Sequence, residues 1–399
     1  MEPAVPREEI EQRLRAFQAA LRADGVAGAV VVQSTDLYYL AGTAQSAHLG
    51  VPAAGEPALL VRKTLERAQE ESPLERIEPL RSLRDLAGAL SAAGVEGGRI
   101  GFELDVLPAA RYLDYRRRLD GYELVDCSAA LVRLRTVKSP WELDRIREAS
   151  AMLAGVADCV AGVLREGMTE IELAAEIEAW LRRQRHQGIV RMRAFNGEVH
   201  YGTIAAGPAA AAPGGTDTPL VGAGPNAAVA KGASPRPIGR GEPVIVDLVG
   251  ALDGYLSDQT RTFCLGPAPA KLREAYDVAC RILHEVAASA RPGVPASRLY
   301  DLANELAGDL RECFASHERV SFVGHGFGLE IDEPPYLARS FERAARRGHG
   351  VRVRAEVLLP RRGRGRGREL VRGHRGRRRA ADERPGGAAR AVVAGHGPD

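Results

Sequence analysis

Residues 7–23 alternate charged and apolar positions at the three-and-four spacing of an amphipathic helix. GAVVV at 28–32 is a short β-type run, and PALLV at 57–61 follows a Gly/Pro-rich turn and predicts another strand. Helical patterns over about 64–71, 82–93 and 107–119 alternate with short strands near 99–102 and 122–125. This alternation predicts an α/β domain over residues 1–135.

A boundary follows at LVRLRTVKSPWELDRIREAS. Ser139 precedes Pro140, and Glu142 stands three residues after the serine, which predicts a capping box with proline in the first helical turn. One long helix is expected to run to about Leu164 and close at Gly167. Thr169 with Glu172 forms a second capping box before a helix that contains Trp180 and ends near Gln187-Gly188. The single apolar stripe on each helix predicts packing on a sheet. Residues 202–237 are rich in Gly, Ala and Pro and are expected to be irregular. A β-rich segment from Glu242 to Leu265, helices at about 270–290 and 296–314, and the run SFVGHGFGLEIDEPP complete the patterned part. No internal repeat is visible.

The composition changes abruptly at residue 342. From Glu342 to Asp399 the chain has no Lys, Ser, Thr, Asn, Ile, Met, Phe, Tyr, Trp or Cys. All the residues it uses there have codons beginning with G or C, as expected when a GC-rich gene is read out of frame. Reading one base forward from Gly348 permits GMVFAFEPKFFFPGEGAVGVEN over residues 348–369, followed by SFVVTED. That reading is β-rich and places glutamates across the Arg354/Ala355 and Arg368/Glu369 junctions. Residues 342–399 are therefore expected to be an out-of-frame, disordered Arg/Gly-rich tail.

The tail also distorts the charge. Residues 343–399 hold 17 Arg against 5 acidic side chains, a balance of +12, so the overall +3 leaves −9 for residues 1–342. A mildly acidic body argues against nucleic acid or an anionic membrane as partner. The Arg-Gly run at 361–368 lacks the interleaved aromatic side chains of a base-stacking segment. Cys127, Cys159, Cys264, Cys280 and Cys313 are odd in number, widely spaced and without zinc-ligand spacing, which predicts free thiols in a reducing cytoplasm. The N-terminus has no apolar signal core, and no apolar run is long enough to span a bilayer.

Candidate chemistry lies in two places. In EPVIVDLVGALDGYLSDQTRTFCLG, Asp247 ends an apolar run and Asp258 follows eleven residues later, beyond a hairpin turn at Asp253-Gly254. Two antiparallel strands joined there would set both carboxylates side by side, an arrangement that a cation stabilises. A turn Asp and a surface Asp would give the same spacing by itself. The second place is Gly324-His325-Gly326, where flanking glycines suit a backbone passing close to a ligand. A lone histidine in that setting could equally be structural.

VDLVG, GYLSDQTRTF and GHGFGLEIDEPP, in this order and separation, resemble the creatinase/aminopeptidase P family of pita-bread metallopeptidases, which includes methionine aminopeptidase, prolidase and X-Pro aminopeptidase. The N-terminal domain and the linker LRTVKSPWELDRIREA resemble its X-Pro peptidase branch. The resemblance implies an α+β chain: a creatinase-like α/β domain over 1–135 and an incomplete pita-bread domain over 139–341, its C-terminal strands lost. It implies two divalent ions, Mn, Co, Fe or Zn, held by Asp247, Asp258, His325 and two glutamates that only the shifted frame supplies, so metal binding is expected to be impaired. The family's catalytic glutamate is absent from its place, and no catalytic residue is assigned. Asp332 and Glu333 fall at the substrate-binding position, with Asp332 where the family commonly carries a His. Ser321 stands four residues before His325, NAAVAKGAS at 226–234 has no His, and nothing places His200 in the site.

The implied function is hydrolysis of short peptides in the cytoplasm, of the X-Pro aminopeptidase or dipeptidase type and as a possible homodimer, with activity lost in this chain. Two other readings fit the same residues. One is a non-catalytic pita-bread protein that binds a peptide or a partner. The other is a metal-dependent hydrolase or lyase acting on a small non-peptide substrate.

Overall fold

The computed structural model describes residues 4–95, 97–212, 220–308, 322–342, 351–353, 356–360 and 368–372. The chain forms two compact units. The first is Met1–Thr136 together with Arg193–Asn196, and the second is Val137–Met192 with the residues from Gly197 onward. The short segment Arg193–Asn196 joins the first unit through ion pairs that the pattern of apolar positions does not reveal: Arg193 bonds Asp36 at 2.7 Å and Asp105 at 2.7 Å.

In the first unit, helices α1 (Arg7–Ala23), α2 (Ser34–Ala41), α3 (Leu65–Glu71), α4 (Leu86–Ala92), α5 (Ala109–Arg118) and α6 (Ser128–Thr136) accompany six strands. These are β1 (Gly28–Val31), β2 (Ala47–Pro52), β3 (Ala58–Val61), β4 (Ile77–Pro79), β5 (Gly98–Phe102) and β6 (Tyr122–Asp126), in the spatial order β4-β3-β2-β1-β5-β6. Strands β1 to β3 form an antiparallel meander, and β4, β5 and β6 join in parallel. Val30, Leu60, Ile100 and Phe102 pack with Leu86, Leu90 and Tyr115 of the covering helices and with Leu119 just after α5. The apolar face of each strand and the stripe of each helix thus bury each other, which supplies most of the driving force.

The second unit begins with α7 (Pro140–Met152), α8 (Val156–Val163) and α9 (Glu170–Arg183). Both capping boxes form, at Ser139/Glu142 and Thr169/Glu172. The long helix expected to reach Leu164 is interrupted by a tight turn at Leu153–Gly155. A Cβ on Gly155 would meet the Trp180 ring at 2.8 Å, so the indole of α9 packs directly on the glycine where the helix breaks. A three-stranded antiparallel sheet follows, β7 (Gly202–Ala206), β8 (Val244–Leu252) and β9 (Tyr255–Phe263), in the order β7-β8-β9. Leu173, Ile177 and Leu181 of α9 pack with Ile204, Val246 and Leu248 of this sheet. Helices α10 (Ala270–Ser289) and α11 (Ala296–Ala307) share a second core that includes Leu272, Ile282, Leu299 and Val323.

Four short strands complete the unit: β10 (Gly324–Gly326), β11 (Val351–Val353), β12 (Glu356–Pro360) and β13 (Arg368–Arg372). Strands β10 and β11 pair antiparallel, as do β12 and β13. The strands after residue 342, expected to be lost, are thus present as backbone ladders. Val351, Val353, Val357, Leu370 and Val371 provide the β-favouring runs for them. The rest of the expectation for the Arg/Gly-rich tail, at 343–350, 354–355, 361–367 and 373–399, lies outside the described residues, as do Cys313 and Ser321. Cys127, Cys159, Cys264 and Cys280 are free thiols. Among the described residues no helix is long and apolar enough to cross a membrane.

Candidate metal centre

The site is built on the hairpin β8–β9. Asp253 and Gly254 both take positive φ, 49° and 88°, as a two-residue hairpin turn of the favoured hand requires. The turn fixes the register: Asp247 lies opposite Thr260, and Val249 opposite Asp258. The offset of two residues puts both carboxylates on one face of the sheet as diagonal neighbours. Both are buried, at 8% and 7% exposure. Thr260 donates its hydroxyl to Asp247 Oδ1 at 2.5 Å.

His325 comes to the same face from β10 and is fully buried. Its Nε2 stands 3.4 Å from Asp258 Oδ2 and makes no hydrogen bond. Its Nδ1 lies 2.9 Å from Gly326 O and 3.1 Å from Asp332 Oδ1. With Nδ1–H donated to the carbonyl, Nε2 keeps its lone pair free toward Asp258. The flanking glycine is needed for packing: a Cβ on Gly326 would meet Pro334 O at 2.4 Å and Glu333 O at 2.7 Å.

Asp332 holds a left-handed backbone, φ 62°, unusual for a non-glycine residue. Tyr336 donates its hydroxyl to the Asp332 carbonyl at 2.5 Å. Burial, with the charges of Asp332, Glu333 and Glu330 added, pushes the Tyr336 hydroxyl up to about 12, so it stays a neutral donor. Asp332 Oδ1 is buried and has no hydrogen-bond partner. Glu333 is engaged differently. Its Oε2 accepts from Lys138 Nζ at 3.0 Å, and its Oε1 accepts from the Glu330 amide at 3.0 Å. His200 is exposed, and Glu178 is its charged neighbour.

The residues fit a divalent ion. Two donors bound to one ion at about 2.1 Å each lie roughly 3.0–3.4 Å apart at octahedral to tetrahedral angles. The Asp258–His325 separation falls in that range, and the buried Nε2, which makes no hydrogen bond, suits a cation. Carboxylates with one imidazole suit Mn, Co, Fe or Zn. Among the described residues, no three His, Cys, Asp or Glu side chains gather at metal-holding spacing. The described side chains thus bring together the Asp258–His325 pair, with Asp247 beside it on the sheet.

Sequence reasoning did not find Lys138 or Tyr336. Lys138 stands directly before the capping box, but nothing in VKSP shows that its ammonium is buried against Glu333. Tyr336 follows the IDEPP run without a motif of its own.

Comparison with known proteins extends these observations. The model of metallopeptidase family M24 matches residues 144–372, and that of the creatinase/prolidase N-terminal domain matches 13–137. An Xaa-Pro dipeptidase of Pyrococcus furiosus is 23% identical over 358 residues, covering 89% of this chain and 92% of that protein. The structure of dipeptidase PepE from Mycobacterium ulcerans superposes with a TM-score of 0.71 at 26% identity, covering 91% of this chain and 92% of that one. That of an Xaa-Pro dipeptidase from Bacillus anthracis gives 0.74 at 22% identity, covering 90% and 93%. The fold is thus a creatinase N-terminal domain followed by a pita-bread domain, and the relatives are peptidases. This chain belongs to metallopeptidase family M24.

Proposed function

We propose that this chain is a short-peptide hydrolase scaffold of the Xaa-Pro dipeptidase type whose metal centre is incomplete. Asp247, Asp258 and His325 are its metal ligands. The observation that carries this reading is the buried His325 Nε2, without a hydrogen bond and 3.4 Å from Asp258 Oδ2. When bound, divalent ions supply the activated water and the carbonyl polarisation that peptide hydrolysis needs. The chain's own groups do the positioning. Thr260 fixes the Asp247 carboxylate, Gly326 O fixes the His325 ring, and Tyr336 holds the Asp332 backbone. Asp332, the more open of the two predicted substrate residues, borders the substrate, and Glu333 serves Lys138.

Two further ligands are expected from the C-terminal strands. The shifted frame places glutamates at the 354/355 and 368/369 junctions, beside β12 and β13, whereas the chain as given has Glu356 and Glu369 there. We infer that the frame is shifted near codon 342 and that the given chain holds divalent ions weakly. The test is metal content after dialysis against Mn²⁺ or Co²⁺, with hydrolysis of X-Pro dipeptides measured alongside. Weak uptake and no turnover are expected. Two tightly held ions per chain with X-Pro turnover would overturn the incomplete-centre reading. Rapid turnover of small amides without dipeptide hydrolysis would overturn the substrate class.

A further inference from the structure

Lys138 is a buried cation that neither the ligand set nor the substrate reading uses. Its side chain is 1% exposed, and its ammonium lies 3.0 Å from Glu333 Oε2. An ion pair so deeply buried costs desolvation on both sides and is weak evidence for stability alone. Its place in the bonding is more informative. Glu333 donates its amide to Gly326 O at 2.9 Å, the same carbonyl that lies 2.9 Å from His325 Nδ1. The Glu333 carboxylate caps the Glu330 amide, closing the turn that carries Asp332. A Cβ on Gly328 would meet Glu333 Oε2 at 2.8 Å and Lys138 Cε at 3.0 Å, so the pair lies directly against that glycine's backbone. Gly328 O accepts from Leu256 N at 2.8 Å, two residues before Asp258 on β9. The pair thus packs against the loop that orients His325, and through Gly328 that loop bonds the strand that carries Asp258.

We propose that Lys138 is a positioning residue of the metal centre: by anchoring Glu333 it fixes Gly326 O, and so holds the His325 ring with Nδ1 protonated and Nε2 facing Asp258. The proposal rests on the assignment of His325 as a ligand only for its metal readout. Loss of an outer partner of a ligating histidine typically costs about 10–100-fold in metal affinity. Removing the ammonium alone also strands a buried carboxylate, so stability must be separated from positioning. A double variant in which both partners become apolar does so, because such replacements are often neutral in stability.

The experiment uses the full 399-residue chain, with Lys138→Met, Lys138→Arg and the double variant Lys138→Met/Glu333→Leu. Two quantities are read: the ¹⁵N shifts of the His325 ring in metal-free protein, assigned by comparison with His325→Gln, and the Co²⁺ dissociation constant from visible absorption. The unvaried chain should show a single tautomer protonated on Nδ1. The double variant should show mixed tautomers and at least about 10-fold weaker Co²⁺ binding, even where its melting temperature is restored. Lys138→Arg should recover both readouts in large part, because guanidinium also pairs with a carboxylate. A folded double variant with the unvaried tautomer and unvaried Co²⁺ affinity would overturn the proposal. Should the unvaried chain bind no Co²⁺ at all, the metal reading of His325 fails, and the tautomer shift still decides the role of Lys138.

Discussion

His325 Nε2 faces Asp258 Oδ2 at 3.4 Å, both groups buried, and the ring nitrogen makes no hydrogen bond. With Nδ1–H donated to Gly326 O, the Nε2 lone pair and the carboxylate oxygen would be two acceptors in contact, an arrangement that a cation relieves. Asp258→Asn would replace one acceptor with an amide able to donate to Nε2. The variant should therefore be at least as stable as the unvaried chain without metal. It should lose the rise in melting temperature that Mn²⁺ gives the unvaried chain, since only binding to the native state stabilises it. Melting curves with and without Mn²⁺ check both halves. A variant that Mn²⁺ still stabilises fully would remove Asp258 from the ligand set.

Gly326→Ala should cost about 1–3 kcal/mol, the usual range for overpacking a buried site. The new methyl would stand 2.4 Å from Pro334 O and 2.7 Å from Glu333 O, both backbone atoms, so the turn itself must open. Urea denaturation measures the loss. The same opening should move the carbonyl that holds the His325 ring, and metal affinity should fall with stability.

His48 gives the first unit a pH dependence of known sign. Burial first, then the charges of Arg62 and Arg111, lower its pKa from 6.5 to about 4. Its Nε2 lies 2.7 Å from Tyr115 Oη. A base with a depressed native pKa contributes fully above the unfolded value and loses that contribution as pH falls from 6.5 toward 4. Over that window the loss is roughly 3 kcal/mol at full linkage. The stability difference between the unvaried chain and His48→Gln should shrink by that order between pH 7 and pH 4. A difference that stays flat across the window would show that His48 titrates normally.

Glu103 has the opposite sign. Burial and the neighbouring Asp36 charge raise its pKa, against the Val32 and Gln33 amides that donate to its oxygens. An acid with a raised native pKa contributes fully below its unfolded value, and the contribution is lost as pH rises through the native one. Glu103→Gln should therefore gain stability relative to the unvaried chain at pH 8, by more than about 1 kcal/mol for a shift of one unit or more. It should gain nothing at pH 4. Equal effects at both pH values would mean that Glu103 ionises like an exposed glutamate.

The legible parts of the fold were those in which one residue pattern had one physical outcome. VIVDLVGAL and YLSDQTRTF around Asp-Gly set a hairpin, and its register brings Asp247 and Asp258 to one face. Ser139-Pro140 and Thr169 with their glutamates set two helix starts. Strand β2, AHLGVP, and strand β7, GTIAA, were not legible, because small residues and glycine give little alternation and tertiary pairing decides them. The break at Gly155 depends on Trp180, 25 positions away in the chain, which no local window contains. At the candidate centre, motif spacing singled out Asp258 and His325, which the structure places 3.4 Å apart. The buried partner of Glu333 did not show, because a lysine's burial depends on what closes over it and not on its neighbours in sequence.

Restoring the reading frame near codon 342 should change metal binding and stability together. The shifted reading supplies a glutamate at the 354/355 junction, ahead of β12 in sequence, and another at 368/369, within the range of β13. It also reads FAFEPKFFFP in place of VRVRAEVLLP, with five aromatic residues in the stretch and no arginine. An apolar inward face lets a strand bury surface at about 25 cal/mol per Å², which a charged side chain in the same place opposes. The repaired chain should therefore melt higher even without metal. With five ligands in place it should bind about two divalent ions per chain, as a two-metal site requires, and melt higher still on adding Mn²⁺. Hydrolysis of X-Pro dipeptides should appear only in the repaired chain. Differential scanning calorimetry with and without Mn²⁺, together with a dipeptide assay on both chains, gives the answer. A repaired chain no more stable and no better at holding Mn²⁺ than the given one would show that the tail beyond residue 342 is read in its true frame.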